Sequence, residues 1–401
     1  MAILVQNNFC IAPFTQLTFS PGGAYSPCPE IGGRPWRDSA TNPINMWNSA
    51  EFQKLRTSFL ENKKNSICNR CWNQESNGKQ SLRKRLLSNT ANGGAKFKKG
   101  ELLNFLEHGY VQGPKQINLM VGNLCNLRCR TCRAGSSVTY NVEGRHYKKK
   151  HNLSRIPYIT RSNKAEIFSL EQIDQIFKIS KNLQRIEFYG GEPLLDVPTL
   201  TLLEKLVASG QSSNIVLFYN TNGTVLPTEQ HYLLWDHFAG IEFNFSIDDI
   251  DSRYTYNRYP GTWNNLISNI ESMRSRNWKI SAKFFSICTI SNLNVYYLPE
   301  ILDRLDQLDL KVFLNHVYDP NWYAVQYLPM AIKEQIVKKL SLYPDSKRLE
   351  FVIKLLELPE NLNHWKEFKF WTKEKDLYRE EEFSLTYPEF YNILKSYDNT
   401  F

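Results

Sequence analysis

Between Gln116 and His316 the chain alternates short apolar runs with amphipathic stretches of ten to sixteen residues, and this alternation narrows the possible folds more than any other feature. The runs Ile117–Val121, Arg185–Tyr189, Ile215–Tyr219, Ile241–Ile247, Lys279–Ile290 and Lys311–His316 read as strands. Ser169–Ser180, Val197–Ala208, Thr228–Phe238, Trp263–Ser275 and Asn294–Asp309 carry apolar residues at helical spacing. Ser169, with Gln172 three positions on, has the pattern of a capping box. Six strands alternating with five helices predict an α/β fold, paired in parallel through right-handed crossovers. An open sheet and a partial barrel both satisfy this pattern, and either places a site at the C-terminal ends of the strands.

The flanks differ. Residues 1–75 are rich in Pro, Gly, Asn and Cys with little periodicity, and such pieces often need a metal because they bury little apolar surface. Residues 76–112 read as a basic connector with a helix near Leu102–Glu107. After Pro329 the pattern is helical through Ala331–Leu342 and Leu349–Leu358, and the tail Asn361–Phe401 is aromatic and acidic. The expected domains are 1–112, 113–325 and 326–401. With 42% hydrophobic and 22% charged residues, a wholly disordered or collagenous chain is excluded. No apolar run approaches the roughly 18 residues of a membrane helix. The opening MAILVQNNFC lacks the basic start and long apolar run of a secretory signal, so a cytoplasmic protein without membrane contact is expected.

In a reducing compartment thiols stay free, and clustered cysteines point to metal or redox chemistry. The eight fall into a group of four (Cys10, Cys28, Cys68, Cys71), a group of three (Cys125, Cys129, Cys132) and Cys288 alone. Three thiolates on one short loop leave one iron of a cubane cluster free, and an open metal position marks a catalytic site. A zinc loop with a distant fourth ligand, or three unrelated thiols, also fits. Four thiolates saturate either zinc or a 4Fe–4S cluster, and chemistry alone does not separate the two. Cys288, inside an apolar strand, reads as a small buried hydrophobe.

Net charge is +9, concentrated in two stretches: Lys79, Arg83, Lys84, Arg85, Lys96, Lys98 and Lys99, then Arg145, Lys148, Lys149, Lys150, Arg155, Arg161 and Lys164. Removing these fourteen from +9 leaves −5. Such runs are either solvated faces or docking surfaces for an anionic partner.

Cys125-Asn-Leu-Arg-Cys129-Arg-Thr-Cys132, directly after the first strand, resembles the C-x3-C-x2-C loop of the radical S-adenosylmethionine (radical SAM) superfamily. The resemblance implies a partial (β/α)6 TIM-type barrel and a 4Fe–4S cluster whose free iron binds the amino and carboxylate groups of S-adenosylmethionine. It also implies one-electron cleavage of that ligand to methionine and a 5′-deoxyadenosyl radical, which abstracts a substrate hydrogen. An external one-electron reductant such as flavodoxin or ferredoxin would be needed. Thr131 departs from the family, which usually has an aromatic or large apolar residue near the adenine.

Gly190-Gly191-Glu192-Pro193, by itself a turn, resembles the segment that holds the ligand's amino group. Asn220-Thr221-Asn222-Gly223 and Ser246-Ile247-Asp248-Asp249 resemble segments flanking its ribose and carboxylate. Arg258 is placed like an arginine that pairs with the methionyl carboxylate, and Thr289–Asn292 like an adenosine contact. Asn315 and His316 end the sixth strand and face a substrate in this reading. No catalytic acid or base is assigned.

Cys10, Gly23 and Cys28, the run Cys71-Trp72-Asn73-Gln74-Glu75 through Ser81-Leu82-Arg83, and Tyr387-Pro388-Glu389 resemble a SPASM/twitch-like subgroup. In that subgroup the auxiliary-cluster domain precedes the barrel, and here a C-terminal helical extension would follow. The resemblance implies a second, fully ligated 4Fe–4S cluster that accepts or relays an electron, with oxidation or cross-linking of a peptide or protein, possible anionic peptides included. Two alternatives stand beside it: a radical SAM dehydrogenase of a small hydroxylated metabolite, and a non-catalytic zinc-stapled nucleic-acid-binding protein.

Overall fold

A computed structural model describes residues 7–31, 36–37, 42–76, 78, 80–88, 107, 111–153, 158–160 and 162–401. Its sheet contains β1 (Gln16–Phe19), β2 (Ala24–Ser26), β3 (Trp36–Arg37), β4 (Gln116–Met120), β5 (Arg185–Tyr189), β6 (Val216–Thr221), β7 (Gly240–Ser246), β8 (Ala282–Ile290) and β9 (Lys311–His316). The order across the sheet is β3-β2-β1-β4-β5-β6-β7-β8-β9. From β4 to β9 every neighbouring pair is parallel and consecutive in the chain. Consecutive order with right-handed crossovers winds the sheet in one direction and sends the connecting helices to one face.

That face is apolar. Alternate residues Ile117, Leu119, Ile186, Phe188, Leu217, Ile241, Phe243 and Phe245 are buried completely. The helix Glu229–Trp235 places Trp235 against it, with ring centroids 5.2 Å from Tyr219 and 5.4 Å from Phe243. Helices Val197–Ala208 and Trp263–Ser275 have the predicted limits. The Ser169 capping box is formed: the Gln172 amide donates to Ser169 Oγ at 3.2 Å and the Ser169 amide to Gln172 Oε1 at 2.9 Å.

The opposite face is polar and still buried. Gln16 Nε2 donates to Gln116 Oε1 (3.1 Å), Gln116 Nε2 to Asn118 Oδ1 (2.8 Å) and Asn118 Nδ2 to Thr18 Oγ1 (2.8 Å). On the next strands Arg185 bonds Glu187 (2.5 Å) and Glu242 (2.8 Å), and Tyr189 donates to Glu187 (2.5 Å). Buried charge is tolerated when paired in this way.

Two features depart from the expected organisation, and a third, the tail, is helical as a C-terminal extension requires. The irregular N-terminal stretch supplies β1, which pairs in parallel with β4 from Gln16↔Gln116 to Phe19↔Leu119. The second basic stretch contains a helix, Tyr140–His151, with Tyr140 and Tyr147 buried and Arg145, Lys148, Lys149 and Lys150 exposed. The acidic, aromatic tail folds into the helix Leu362–Arg379, which buries Trp365, Phe368 and Trp371, and into Pro388–Tyr397. The helices expected at Ala331–Leu342 and Leu349–Leu358 span Met330–Ser341 and Glu350–Leu356. The helix expected near Leu102–Glu107, apart from Glu107, lies outside the described residues, as do Lys79, Lys96, Lys98, Lys99, Arg155 and Arg161. Among the described residues no helix is long and apolar enough to cross a membrane.

Candidate active site

The three-cysteine loop leaves β4 at the C-terminal end of the parallel strands. Its entry is packed too tightly for side chains. A Cβ on Gly191 would lie 2.2 Å from the Leu124 carbonyl oxygen, and one on Gly190 2.8 Å from that of Gly122. The Gly191 amide donates to Gly122 O (2.9 Å) and the Glu192 amide to Leu124 O (2.7 Å). The glycine pair therefore serves a close approach within the chain, between the end of β5 and the loop entry. Gly190, at φ +116°, also occupies backbone space that side chains rarely enter.

Glu192 is fully buried. Its carboxylate accepts from Thr221 Oγ1 (2.7 Å), the Asn222 amide (2.8 Å) and the Leu194 amide (3.2 Å). Burial raises its pKa, against the pull of these donors. It thus ties the end of β5, through Pro193, to the end of β6. Asn222 in turn reaches the loop, donating to Asn126 Oδ1 at 2.9 Å and to Cys125 Sγ at 3.9 Å. Asn220 Oδ1 accepts from Asn244 (2.9 Å), and half-buried Ser246 ends β7.

Arg258 stands behind the loop. Its Nη1 lies 3.9 Å from Cys129 Sγ and its Nη2 2.8 Å from Asp248 Oδ2, while Asp248 Oδ1 accepts the Thr289 amide at 2.9 Å. The guanidinium assigned by resemblance to a ligand carboxylate thus has an internal carboxylate partner. Its buried Nε has no partner, and neither does Asn292 Oδ1, whose Nδ2 donates to Trp322 O (2.8 Å). The neighbouring Cys132 thiol, and then Arg258 against the effect of burial, bring Cys129 down to about 7. Burial pushes Cys125 up to about 12. The donor set fits the group implied: three thiols on one loop, a cation at one sulfur, an amide at another, and two orphaned polar atoms nearby. Cys288 is fully buried, with Asn294 Nδ2 3.8 Å from its sulfur. His316 is buried beside Tyr318, ring centroids 4.0 Å apart.

Cys10, Cys28, Cys68 and Cys71 line one pocket with Ala12, Ile31, Leu82, Leu86, Glu30 and Arg83. Three separate segments bring them together. Arg83 anchors the arrangement: Nε and Nη2 grip Glu75 at 3.0 and 2.5 Å, and Nη1 donates to Phe9 O at 2.9 Å, next to Cys10. Burial raises all four thiol pKa values, and each thiol is raised further by a neighbouring thiol or carboxylate. Such a set resists ionisation unless a cation enters, and the fit to a metal group is chemical in that sense. Among the described residues, no three His, Cys, Asp or Glu side chains are grouped tightly enough to hold a single metal ion.

Residues 119–310 match the radical SAM superfamily. The match covers just under half of the chain. Among curated proteins it is similar to the radical SAM cyclopropyl synthase TigE of Paramaledivibacter caminithermalis, at 26% identity over 47% of this chain and 38% of that protein. It is also similar to the GTP 3',8-cyclase of Rhizobium etli, at 24% identity over 46% of this chain and 47% of that protein. The chain thus spans less than half the length of each of these relatives. Solved structures that resemble it include anSMEcpe with bound AdoMet (TM-score 0.39, 16% identity, 56% of this chain and 57% of that one). Another is Streptococcus suis SuiB bound to S-adenosylmethionine (TM-score 0.39, 10% identity, 85% and 70%).

The matched stretch begins within β4 and ends just before β9, so it contains the three-cysteine loop, Glu192, Asn222, Asp248, Arg258 and Asn292. The four-cysteine pocket and the helix Leu362–Arg379 lie outside it. Sequence reading missed what joins these parts. Arg70, between Cys68 and Cys71, stacks over Tyr318 at 4.4 Å, and Asp319 pairs with Arg133, next to Cys132. A single Tyr318-Asp319 step therefore touches both cysteine regions, with no local pattern to announce it.

Proposed function

We propose that the protein is a radical SAM enzyme with two iron–sulfur sites that oxidises or cross-links a peptide or protein side chain. The observation that carries this reading is the three-thiol loop at the C-terminal ends of the parallel strands, with Arg258 at Cys129 and Asn222 at Cys125. A 4Fe–4S cluster held by Cys125, Cys129 and Cys132 would supply one-electron cleavage of S-adenosylmethionine to methionine and a 5′-deoxyadenosyl radical. The chain's own residues position and enclose. Gly190, Gly191 and Glu192 fix the loop entry against β5 and β6, and Arg258 with Asp248 places a cation behind Cys129. The singly wound strand order supports curvature into a partial (β/α)6 barrel.

In this reading residues 1–112 form the auxiliary-site domain, 113–325 the barrel and 326–401 a helical extension. Cys10, Cys28, Cys68 and Cys71 hold a second 4Fe–4S cluster that receives or relays an electron. Their common pocket supports a single four-thiol site, and the SPASM/twitch-like resemblance of Cys10, Gly23, Cys28 and the Cys71–Arg83 run favours a cluster over zinc there. The exposed ridge Arg145, Lys148, Lys149 supports docking of an anionic peptide. The compartment proposed is the cytoplasm, with flavodoxin or ferredoxin as reductant.

Anaerobic reconstitution tests the reading. About eight irons per chain with 5′-deoxyadenosine release under strong reductant is the expected result. Zinc without iron, or iron without cleavage of S-adenosylmethionine, would refute it. A Cys68→Ala/Cys71→Ala chain should retain about four irons and the cleavage reaction but lose the oxidised product.

A further inference from the structure

The backbone of the three-cysteine loop is held by an element far away in sequence. The Arg379 Nη2 donates to Arg128 O at 2.8 Å, and the Lys375 Nζ to Arg130 O at 2.9 Å. Between them the Tyr140 hydroxyl donates to the carbonyls of both Arg128 and Cys129. Three successive carbonyls around Cys129 are thus taken by side chains, two of them cations from the last turns of Leu362–Arg379. On the other edge the Arg128 and Arg130 amides donate to Tyr259 O (2.7 Å) and Asn257 O (2.8 Å).

The cations are deeply placed. Lys375 and Arg130 are fully buried, Lys375 lying 4.3 Å above the Tyr158 ring and Arg130 3.5 Å above that of Tyr256. Carboxylates balance them incompletely. Glu143 pairs with Arg379 (3.1 Å) and Arg128 (3.8 Å), while Asp376 (2.5 Å) and Glu381 (2.6 Å) share Arg130. Arg128, Arg130 and Arg379 match these three carboxylates in number, while Lys375, whose pKa burial lowers well below the usual lysine range, stands beside the loop of three thiols with no carboxylate partner among the described residues. Burying Lys375 against aromatic rings is costly, and its hydrogen bond to the Arg130 carbonyl offsets part of that cost.

We propose that Leu362–Arg379 is a cationic clamp, with Lys375 and Arg379 as positioning residues that hold the thiols of Cys129 and Cys132 for the metal group and raise its reduction potential. The potential rests on the iron–sulfur reading above; the clamp itself does not. Cations near a cluster favour its reduced, more negative form.

The test has two arms, both on the full chain. In metal-free protein, iodoacetamide labelling read by mass spectrometry should rise about tenfold at Cys129 and Cys132 in Lys375→Met and in Arg379→Gln, as local opening becomes easier. Arg379→Lys, which keeps a donor, should return it towards the parent rate. Exposed Lys373→Met on the same helix should change nothing. Unchanged labelling in both variants overturns the clamp. So does an equal rise at the core residue Cys288, which marks global unfolding; if one variant precipitates, the other decides. In iron-loaded protein, the midpoint potential of the three-cysteine cluster should fall by about 59 mV, a tenfold change for one electron. A potential equal to that of Lys373→Met overturns that half. A parent chain that takes up no iron would sink the proposed function, while the labelling arm still scores the clamp.

Discussion

The two cysteine groups are built in opposite ways. Around Cys125, Cys129 and Cys132 the polypeptide is held by its own polar groups: loop amides bond to Asn257 and Tyr259, and loop carbonyls to Arg379, Tyr140 and Lys375. Around Cys10, Cys28, Cys68 and Cys71 three short segments meet at an apolar wall, with Arg83 and Glu75 as the main polar tie. The first arrangement has polar ties of its own. The second has few, and if it holds a metal as proposed it would lean on that metal for cohesion.

The contrast can be broken at several points, the largest effect first. Cys129→Ala should abolish 5′-deoxyadenosine release while leaving the urea unfolding midpoint near that of the parent; a large loss of stability would show that the thiol itself supports the fold. Arg130→Met leaves half-buried Asp376 and Glu381 without their cation and should cost about 3 kcal/mol in urea unfolding. A cost below 1 kcal/mol would mean that the loop is not held as described. Glu75→Gln should weaken the four-cysteine side by about 2 kcal/mol, the scale of a hydrogen bond to a charged group. Hydrogen exchange should then quicken in residues 7–31 and 66–88 but not around Cys129, and uniform change would erase the distinction.

A separate test lies in neither site and calibrates both. Asp196 caps the helix Val197–Ala208, accepting the Thr199 amide at 3.1 Å, and burial raises its pKa from 3.8 to about 6. The folded chain holds this proton more tightly than the unfolded one. Its contribution is therefore complete below about pH 3.8 and is lost as pH climbs through about 6. Asn at the same place caps equally well without a charge, so Asp196→Asn should be more stable by about 3 kcal/mol at pH 7 and equal to the parent near pH 3.5. Equal stability at pH 7 would show that the carboxylate pays no burial penalty.

Legibility in the sequence followed range. The limits of β5, β9, Val197–Ala208 and Trp263–Ser275 were readable because hydrophobic period is a local signal. The three-cysteine loop was readable for the same reason, its spacing lying within eight residues. β1, β2 and β3 were not, since strands of four, three and two residues have no period to detect. Nor was the polar sheet face, although Arg185-Ile-Glu187-Phe-Tyr189 shows the alternation once the strand is known. The clamp was the hardest to see. Lys375 and Arg130 lie 245 positions apart, and lysines and arginines in a charged tail read as solvated unless tertiary packing says otherwise.

The pairing of β1 with β4 reaches beyond architecture, to anyone who would trim the chain. A protein cut down to residues 113–325 would lose the strand that covers β4, baring the amides and carbonyls of Gln116–Leu119 as a raw seam. Gln116 and Asn118 would lose Gln16 and Thr18 at the same stroke. Such a fragment would be expected to pair edge to edge with its own copies, and the stretch before β4 serves, among its other uses, as the hem that keeps the sheet from unravelling into its neighbours.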